Sequence, residues 1–566
     1  MKQAEKRQTE LPLLWERVFI AVLVIAYLFA FSRTVPHGDA LRVVRQIQAE
    51  HLIWNPNHLI FDPIGYGWYA LLEKFGFSIS ALDSFEIISG IATVASLLVF
   101  HAILVQAGVK WWGARALAIG GLFASRSFLS LANNQYYFMV QMPLLLGALY
   151  LGMRFLAMES DEKSRAMYLY GIGVLVAVAA TILFSNVLLV VALGLVVGFT
   201  RNRQQASQAG WNYAYAARIW GAAALVGFPA YIFGYLASGS SAGFFHWLLS
   251  YQGESASALN DLYLVQWSTQ SVAESLARLG FNLFSASILE NAGLGTYFRA
   301  LIFREPLEFV PEIFRLSLVV ALTPIIIGMM LMLMVWAVRR FRRDMLIPFA
   351  FAWGASYLLF NFLWSVGGEH FWVQILPVVW LMWMVYLFSN NAEPFKADIA
   401  IWSRKNWKLW STLLVVPALL FVNTVNTVIP VSGRSEVEIL KYHALLRDGD
   451  LEIMPGWEVI GWMRSEQQRP RVERLLLMNM ALQSKEQDRH IQRLPEIVAD
   501  HLASGRRVVV GRLYDKDHEI NPWYGLTRLG WPRSRIQSLL GRYCHTEIGR
   551  VDDVVFREIK VCRSDG

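Results

Sequence analysis

The sequence has little charge and almost no cysteine for its length. Only 17% of its 566 residues are Asp, Glu, Lys or Arg, and only two are cysteine. Neither cysteine belongs to a Cys-x-x-Cys pair, which excludes zinc and iron–sulfur sites built on such pairs. The patterns Gly-x-x-x-x-Gly-Lys and His-Glu-x-x-His are missing too, which excludes P-loop nucleotide sites and zincin-type peptidase sites.

The chain is instead rich in apolar sequence, with 55% hydrophobic residues and a mean hydropathy of +0.38. Because one crossing of a bilayer takes about 20 apolar residues, the recurring apolar runs predict a polytopic α-helical membrane protein with about 11 transmembrane helices. The first run follows basic residues and also fits a signal peptide, but its length and the many later runs favour a retained anchor. The predicted spans are 14–32, 87–106, 115–132, 138–156, 167–183, 187–200, 219–237, 316–337, 345–364, 372–388 and 409–428.

The formal net charge of +8 is spread in short basic clusters between the apolar runs. Since no face or tail collects these charges, we expect a lipid bilayer and no nucleic acid as partner. If the N-terminus is cytoplasmic, the outer turns at 133–135, 184–186 and 365–370 carry no Lys or Arg. The positive-inside rule therefore predicts a multi-pass protein of the plasma (inner) membrane with a cytoplasmic N-terminus. The inner loops would carry Lys110, Arg115, Arg154, Lys163, Arg165, Arg201, Arg203, Arg218, Arg339, Arg340, Arg342, Arg343, Lys396, Arg404, Lys405 and Lys408.

Two of the predicted outer loops are long, at 33–85 and 238–315, within a membrane domain that spans 1–430. Each contains apolar residues at helical spacing among polar ones, which predicts short helices lying in the membrane interface. The apolar residues are Leu41, Val44 and Ile47 in the first loop, with His51 one turn further on, and Val272, Leu276 and Leu279 in the second. Such helices could wall a cavity at the membrane surface.

The composition changes after Pro430, where charge becomes dense and apolar runs shorten to strand length. We therefore predict that 431–566 is a separate, soluble α/β domain on the extracytoplasmic side. The predicted strands are Leu451–Met454, Arg474–Met480 and Arg507–Leu513, and the helical pattern Asp488–Leu502 lies between the last two.

The end of the chain, from Cys544 to Cys562, is typical of a β-hairpin that turns near Asp552 and Asp553. The two cysteines would then face each other near the open end of the hairpin. In an oxidising compartment they could form a disulfide. Two unrelated buried thiols would give the same spacing.

Polar residues gather just beyond the first span. Gly38 and Asp39 follow it directly, and Asn55-Pro56-Asn57-His58 forms a turn later in the same loop. With paired short spans after this loop, a re-entrant second outer loop and a soluble C-terminal domain, the sequence resembles the GT-C class of membrane glycosyltransferases. The similarity is to bacterial relatives of protein O-mannosyltransferases and aminoarabinose transferases, and it covers 1–390 loosely through short motifs.

This resemblance implies transfer of a sugar from a polyprenyl-phosphate donor to a lipid, glycan or protein acceptor at the extracytoplasmic surface. Asp39 matches the catalytic acid of the first loop, and a carboxylate there can take a proton from the acceptor hydroxyl. The lipid-phosphate leaving group needs cations or hydrogen-bond donors. The candidates for binding the phosphate or the substrate are His58, Asp62, Arg299, Arg304 and His370. No Asp-Glu or Asp-x-Asp pair accompanies Asp39, which leaves a divalent metal cofactor undecided.

Each candidate also has a structural explanation. Asp39 could be the N-cap of an interfacial helix, and His58 and Asp62 could simply shape a turn. The two arginines of the second loop could extend toward water with no phosphate involved, and His370 could be an interfacial anchor. Arg126 lies inside a predicted span, so it must be paired there or line a cavity.

Other classes of function remain open at this point. A transporter or flippase of a lipid-linked glycan would place ionisable residues or broken helices near the middle of the membrane, often in repeated halves. A glycan polymerase or ligase could use a similar donor on another fold. A scaffold would use its soluble domain to bind partners.

Overall fold

The computed structural model describes residues 2–31, 52, 54–79, 81–132, 137–157, 162–199, 212–241, 243–249, 310–341, 345–363, 372–388, 407–424, 441–442, 444–455, 472–477, 480, 487–513, 526, 531–551 and 554–562. Most of the first part of the chain is helical. Its helices are α1 (Lys2–Ala30), α2 (Phe61–Lys74), α3 (Ala81–Gln106), α4 (Trp112–Ala124), α5 (Arg126–Ala132), α6 (Tyr137–Ala157), α7 (Glu162–Ile182), α8 (Val187–Gly198), α9 (Tyr213–Ser238), α10 (Phe244–Leu249), α11 (Val310–Arg340), α12 (Leu346–Leu363), α13 (Leu376–Phe388) and α14 (Trp407–Asn423).

Each predicted span contains a helix, and the third contains two, α4 and α5. Within the described residues, five segments are long and apolar enough to cross a membrane: Pro12–Ala30, Asp83–Gln106, Phe138–Ala157, Glu162–Ile182 and Tyr213–Ser238. Shorter apolar helices lie at Phe184–Gly198, Leu346–Asn361, Leu376–Leu387 and Leu409–Asn423. The protein is thus mainly a bundle of apolar helices, and the total of about 11 crossings stays a prediction.

One end of the bundle, which we call the basic end, is held by ion pairs. Glu16 of α1 binds both His101 of α3, at 2.9 Å from Oε2 to Nε2, and Arg115 of α4, at 2.5 Å from Oε1 to Nη2. Arg218 at the start of α9 reaches Glu162 at the start of α7 with an Nη1–Oε1 distance of 2.6 Å. The end of α3 therefore lies beside the start of α4, and the starts of α7 and α9 lie side by side, as expected for helices that run up and down in turn.

The opposite end, which we call the loop end, carries 54–60, 183–186 and 243–249. It is the end that the sequence assigns to the outer side. The hydroxyl of Tyr27 lies 2.7 Å from Oγ1 of Thr424, which joins the ends of α1 and α14. Near the middle of α3, Thr93 Oγ1 lies 3.2 Å from the carbonyl oxygen of Ala132, the last residue of α5.

The third predicted span is interrupted at Ser125, whose extended backbone (φ −64, ψ 135) separates α4 from α5. Two later helices hold this break. Trp380 Nε1 of α13 donates to Ser125 Oγ at 3.0 Å, and Asn423 Nδ2 of α14 donates to the carbonyl oxygen of Ala124 at 2.6 Å. Polar groups freed by a broken helix within a bilayer must be satisfied by such neighbours.

The C-terminal part contains a five-stranded sheet with the order β2-β1-β3-β5-β4. Its strands are β1 (Leu451–Met454), β2 (Glu473–Leu476), β3 (Val508–Gly511), β4 (Tyr543–Val551) and β5 (Val554–Val561), with helices α15 (Gln487–Ala503) and α16 (Arg533–Leu540). Strands β1, β2 and β3 are parallel, whereas β5 runs antiparallel to β3 and β4. The predicted strands, helix and hairpin are all present, with ends that differ by a few residues.

The two faces of this sheet are covered differently. On one face, Ile453, Val510 and Ile559 pack with Val498 of α15 and Ile536 of α16. On the other face, Met454, Val509 and Phe556 belong to the same continuous cluster of buried side chains as the helical bundle. Alternation along β-strands sorts these residues onto opposite faces.

Candidate functional site at the loop end of the bundle

The carboxyl end of α7 is the point at which the loop end is assembled. The last carbonyl groups of a helix lack partners within the helix. Tyr231 of α9 donates its hydroxyl to the Ala180 carbonyl oxygen at 2.8 Å, and the Ile60 backbone N–H donates to Thr181 at 3.1 Å. The backbone of the first long loop and a side chain of α9 thus supply hydrogen-bond donors for the last carbonyl groups of α7.

His58 takes part in the same arrangement. It is buried, and its Nδ1 lies 3.3 Å from the carbonyl oxygen of Ile182, the last residue of α7. Because a carbonyl only accepts, Nδ1 carries the proton. A histidine at a helix C-terminus also lies where the helix dipole favours positive charge. Its position is therefore explained by capping α7, a role that the turn pattern in the sequence did not predict.

Asp62 lies in the first turn of α2, and its side chain is fully buried. A carboxylate near a helix N-terminus is favoured by the helix dipole. As the structural alternative to a binding role, the sequence predicted a turn here. Asn55 Oδ1 does accept from the Asn57 backbone N–H at 3.0 Å, but Asp62 itself lies in the helix that follows. Gly65 lets α2 lie directly on Phe85, because a Cβ at Gly65 would come within 2.0 Å of that ring.

The two long loops that the sequence assigns to the outer side meet beside this helix end. Leu59 of the first loop, Tyr231 of α9 and Trp247 of α10 form a buried cluster, and α10 opens the second loop. Gly234 permits the contact, because a Cβ there would stand 2.1 Å from Cδ1 of Leu59. This packing fixes the middle of the first loop against the beginning of the second.

A chain of buried polar side chains lies just inside the loop end. Tyr357 of α12 donates its hydroxyl to Asn186 Oδ1 at 2.7 Å, and Asn186 Nδ2 donates to the Ala179 carbonyl oxygen at 2.9 Å and to Gln141 Oε1 of α6. The directions follow from the Ala179 carbonyl, which can only accept. The Nε2 group of Gln141 has no hydrogen-bond partner within the described part of the chain.

Gln141 and Tyr357 were missed by the sequence analysis, and Asn186 was noted only as part of a short outer turn. A signal for them existed, because polar residues inside apolar spans are costly and are usually kept for a structural or functional reason. What the sequence could not give is their proximity, since Asn186 and Tyr357 are 171 positions apart.

Arg126 begins α5 directly after the break in the third span, and its side chain is partly exposed. It is not isolated, since it interacts with another group of the chain. The sequence required an arginine inside a span to be paired or to line a cavity. Its position at a helix break agrees with that requirement.

The remaining candidates belong to the two long loops and to the turn at 365–370. Asp39, Arg299, Arg304 and His370 lie outside the described residues. The predicted interfacial helices around 41–51 and 272–279 lie outside them too. Among the residues that are described, no group of three or more His, Cys, Asp or Glu side chains is arranged to hold a metal ion.

Two features of the C-terminal part bear on function less directly. Cys544 and Cys562 are joined by a disulfide across the open end of the β4–β5 hairpin, with their Cα atoms 5.0 Å apart. A groove of about 740 Å³ is lined by Asp448, Val472, Glu473 and Arg506, at the amino ends of the parallel strands. In parallel α/β sheets ligands usually bind at the carboxyl ends instead.

The fold can be compared with solved structures. Apo ArnT from Cupriavidus metallidurans is 10% identical, matches 96% of this chain and 97% of its own, and superposes with a TM-score of 0.53. Archaeal oligosaccharyltransferase AglB from Archaeoglobus fulgidus, solved with an inhibitory peptide and a dolichol-phosphate, is 12% identical over 99% of this chain and 75% of its own, with a TM-score of 0.54. The oligosaccharyltransferase of the same organism, tethered to an acceptor peptide, is 10% identical over 94% of this chain and 72% of its own, with a TM-score of 0.54.

No protein-family model matches the sequence, and no curated protein matches it either. At these identities the comparisons concern the fold alone. The chain has the fold of the GT-C membrane glycosyltransferases, as its resemblance to that class predicted.

Proposed function

We propose that the protein is a glycosyltransferase that moves a sugar from a polyprenyl-phosphate donor to an acceptor at the extracytoplasmic membrane face. The observation that carries this proposal is the contact between the two outer loops, where Leu59 of the first loop packs on Gly234 and beside Trp247. Asp39 belongs to the first loop, and the two candidate arginines belong to the second. A shared anchor is what a site composed from both loops requires.

The similar structures add chemical support. AglB, whose fold is similar along nearly the whole of this chain, was solved with a dolichol-phosphate, which is a polyprenyl-type lipid phosphate. A bundle of apolar helices with polar loops gathered at one end suits such a donor, because the lipid tail can stay in hydrocarbon while the sugar phosphate lies at the lip.

In the proposed reaction the hydroxyl oxygen of the acceptor attacks the anomeric carbon of the sugar, and Asp39 takes the proton of that hydroxyl. The bond from that carbon to the phosphate oxygen breaks, and negative charge gathers on the leaving lipid phosphate. Arg299, Arg304 and His370 would stabilise that charge at headgroup depth. For this chemistry to work, the second loop must bring its cations to within hydrogen-bond distance of the phosphate.

His58 and Asp62 have a supporting place in this proposal. Since His58 Nδ1 donates to Ile182, Nε2 is the ring nitrogen with which it would contact a substrate. Asp62 is fully buried, so it would act from beneath the loop rather than on the acceptor. His58 keeps the first loop in place beside α7.

The test is the Asp39→Asn variant assayed with total membrane extract as the source of acceptor and with undecaprenyl phosphate carrying a radiolabelled sugar, offered as the glucosyl, mannosyl and aminoarabinosyl forms. We expect the wild type to release lipid phosphate from at least one form, and the variant to lose at least 100-fold in rate, as expected for removal of a general base. Glu73→Gln is the matched control, since Glu73 is an exposed carboxylate in the same loop. Retained turnover in Asp39→Asn, in a folded and inserted protein, would remove Asp39 from the mechanism.

A transporter or flippase of a lipid-linked glycan is the second candidate. The observations that favour it are the break between α4 and α5 and the buried Gln141–Asn186–Tyr357 chain, since transporters place such features inside the membrane. The two classes differ in one assay. A transferase consumes the donor in detergent solution, where no second compartment exists, and a transporter leaves it intact.

The placement of residues 431–566 is also part of the proposal. The Cys544–Cys562 disulfide and the basic residues predicted on the inner side both support an extracytoplasmic domain, because disulfides persist in oxidising compartments. Alkylation of intact cells before and after reduction would check it, with both thiols expected to react only after reduction.

A further inference from the structure

Helix α10 folds back along the side of α9 instead of continuing beyond its end. Gly239 caps α9 in the left-handed conformation, which glycine adopts without strain. The ring of Phe244 then lies 6.1 Å from the ring of Phe228 and 5.6 Å from that of Tyr235, measured between centroids. Trp247 reaches the same helix, with its ring 5.7 Å from that of Tyr235. The beginning of the second long loop is therefore packed against a helix that is long and apolar enough to cross a membrane.

The depth of this contact follows from positions along α9. Arg218 lies at the basic end, and Ser238, the last residue of α9, is about 30 Å further along the helix at about 1.5 Å per residue, which equals the thickness of the hydrocarbon core. On the same scale Phe228 is about 15 Å and Tyr235 about 26 Å from Arg218. Phe244, which packs against both rings, thus lies in the half of the hydrocarbon core nearer the loop end.

The sequence gives the same indication independently of the coordinates. No Asp, Glu, Lys or Arg occurs between Arg218 and Glu254, and the uncharged run 219–253 is much longer than the roughly 20 residues that one crossing uses. The excess falls on the turn after α9 and on α10, whose sequence is Phe-Phe-His-Trp-Leu-Leu. A segment of this composition can stay in hydrocarbon beside the helix that it follows.

The exposed sides of the two helices are apolar as well. Phe245 of α10 is 72% exposed, and Phe228, Phe233 and Leu236 of α9 are exposed too. Trp54 of the first long loop lies beside them, with its ring edge-to-face to that of Phe233 at 5.3 Å. Large exposed apolar surfaces on a protein mark contact with a partner or with a membrane. Since α9 itself crosses the membrane, its neighbour at this depth meets acyl chains.

We propose that α10 lies within the bilayer beside α9 and that Phe245, together with the exposed face of α9, contacts the acyl chains of the outer leaflet. The partner is the hydrocarbon of the lipid bilayer. This inference goes beyond the proposed function and does not depend on it, because neither donor nor acceptor takes part. It fixes the beginning of the second long loop below the membrane surface, next to the contact between Leu59 and Gly234.

The first experiment attaches a nitroxide label to Phe245→Cys and measures its collisions with oxygen and with a neutral nickel chelate in phosphatidylcholine vesicles. The two native cysteines form a disulfide and take up no label. Oxygen concentrates in hydrocarbon and the chelate in water, so we expect the ratio of oxygen to chelate collisions to approach that of Leu225→Cys, on the exposed face of α9. Arg506→Cys, at an exposed position of the C-terminal part, is the control for water and should give the opposite ratio.

A second measurement uses the unmodified protein and so does not depend on any variant. The full chain is reconstituted with phosphatidylcholine that carries a photoactivatable diazirine in one acyl chain, irradiated, and analysed by peptide mass spectrometry. We expect lipid adducts on Phe244–Leu249 and on the exposed residues of α9. Peptides around Arg506 should carry none.

Each result decides the inference. Collisions at Phe245 that are dominated by the chelate would place α10 in water and overturn it. Few collisions with either reagent would show that Phe245 is covered by protein, such as a second copy of the chain, and would overturn it as well. Irradiation that leaves Phe244–Leu249 without adducts would also contradict it. Retained turnover in Asp39→Asn would change the proposed function and leave these results as they are.

Discussion

The two ends of the helical bundle use different interactions. At the basic end, charged side chains neutralise each other: Glu16 binds Arg115 and His101, and Glu162 binds Arg218. At the loop end, side chains such as His58 and Tyr231 reach carbonyl oxygens at the end of α7. The ion pairs of the basic end thus join helices to one another, whereas the contacts of the loop end position segments that come from distant parts of the chain.

This difference suggests where function lies. The ion pairs at the basic end join helices to one another, and this structural role accounts for them. Capping interactions at the loop end place two long loops beside one helix end. Changes at the basic end should therefore affect stability first, and changes at the loop end should affect activity first.

The largest effect on stability is expected from Glu16→Gln. The change leaves the nearly buried Arg115 without its anionic partner, and breaking a buried pair costs about 3–5 kcal/mol, of which we expect the lower end because Glu16 is partly exposed. Thermal unfolding in detergent would measure it. Arg154→Gln at the same end removes an exposed contact and should change little. Equal loss in both variants would contradict the structural role of the Glu16 cluster.

Gly234→Val tests the loop end. The added side chain would displace Leu59 and separate the two outer loops, at a cost of about 1–3 kcal/mol in stability. We expect sugar transfer to fall by more than the loss of folded protein explains. Gly221→Val, in the same helix where nothing lies within 4 Å of the added Cβ, is the matched control. Transfer that falls only in proportion to folded protein would separate loop contact from activity.

The smallest effect concerns pH and the C-terminal sheet. Burial lowers the pKa of His545 from 6.5, the charge of Arg557 lowers it further, and a hydrogen bond with the Leu540 backbone opposes them. The folded state then binds fewer protons than the unfolded state, so stability should fall as pH drops below about 6.5. Denaturation of the full chain between pH 5 and 8, followed by hydrogen exchange in β4, should show this trend. His545→Gln should reduce it, and an unchanged trend would assign it to other groups.

Much of the architecture follows from local sequence. Apolar runs predict spans because crossing a bilayer imposes a length on each helix separately, and every predicted span contains a helix. The strands of the C-terminal sheet and the Cys544–Cys562 hairpin were also predicted from local sequence, namely from short apolar runs and turn residues.

The parts that were not predicted depend on distant contacts. The break at Ser125 is held by Trp380 and Asn423, hundreds of residues away, and nothing in the local pattern indicates it. His58 was predicted as a substrate ligand in a turn, and its capping of Ile182 joins positions 124 apart. The catalytic role of Asp39 remains a prediction from resemblance.

The most direct test of this account is a structure of the protein with undecaprenyl phosphate bound. We predict that the phosphate lies at the loop end, between the first outer loop and the second, with the Asp39 carboxylate close enough to reach an attached sugar. A phosphate bound at the basic end, or an Asp39 side chain directed away from it, would contradict the proposed function.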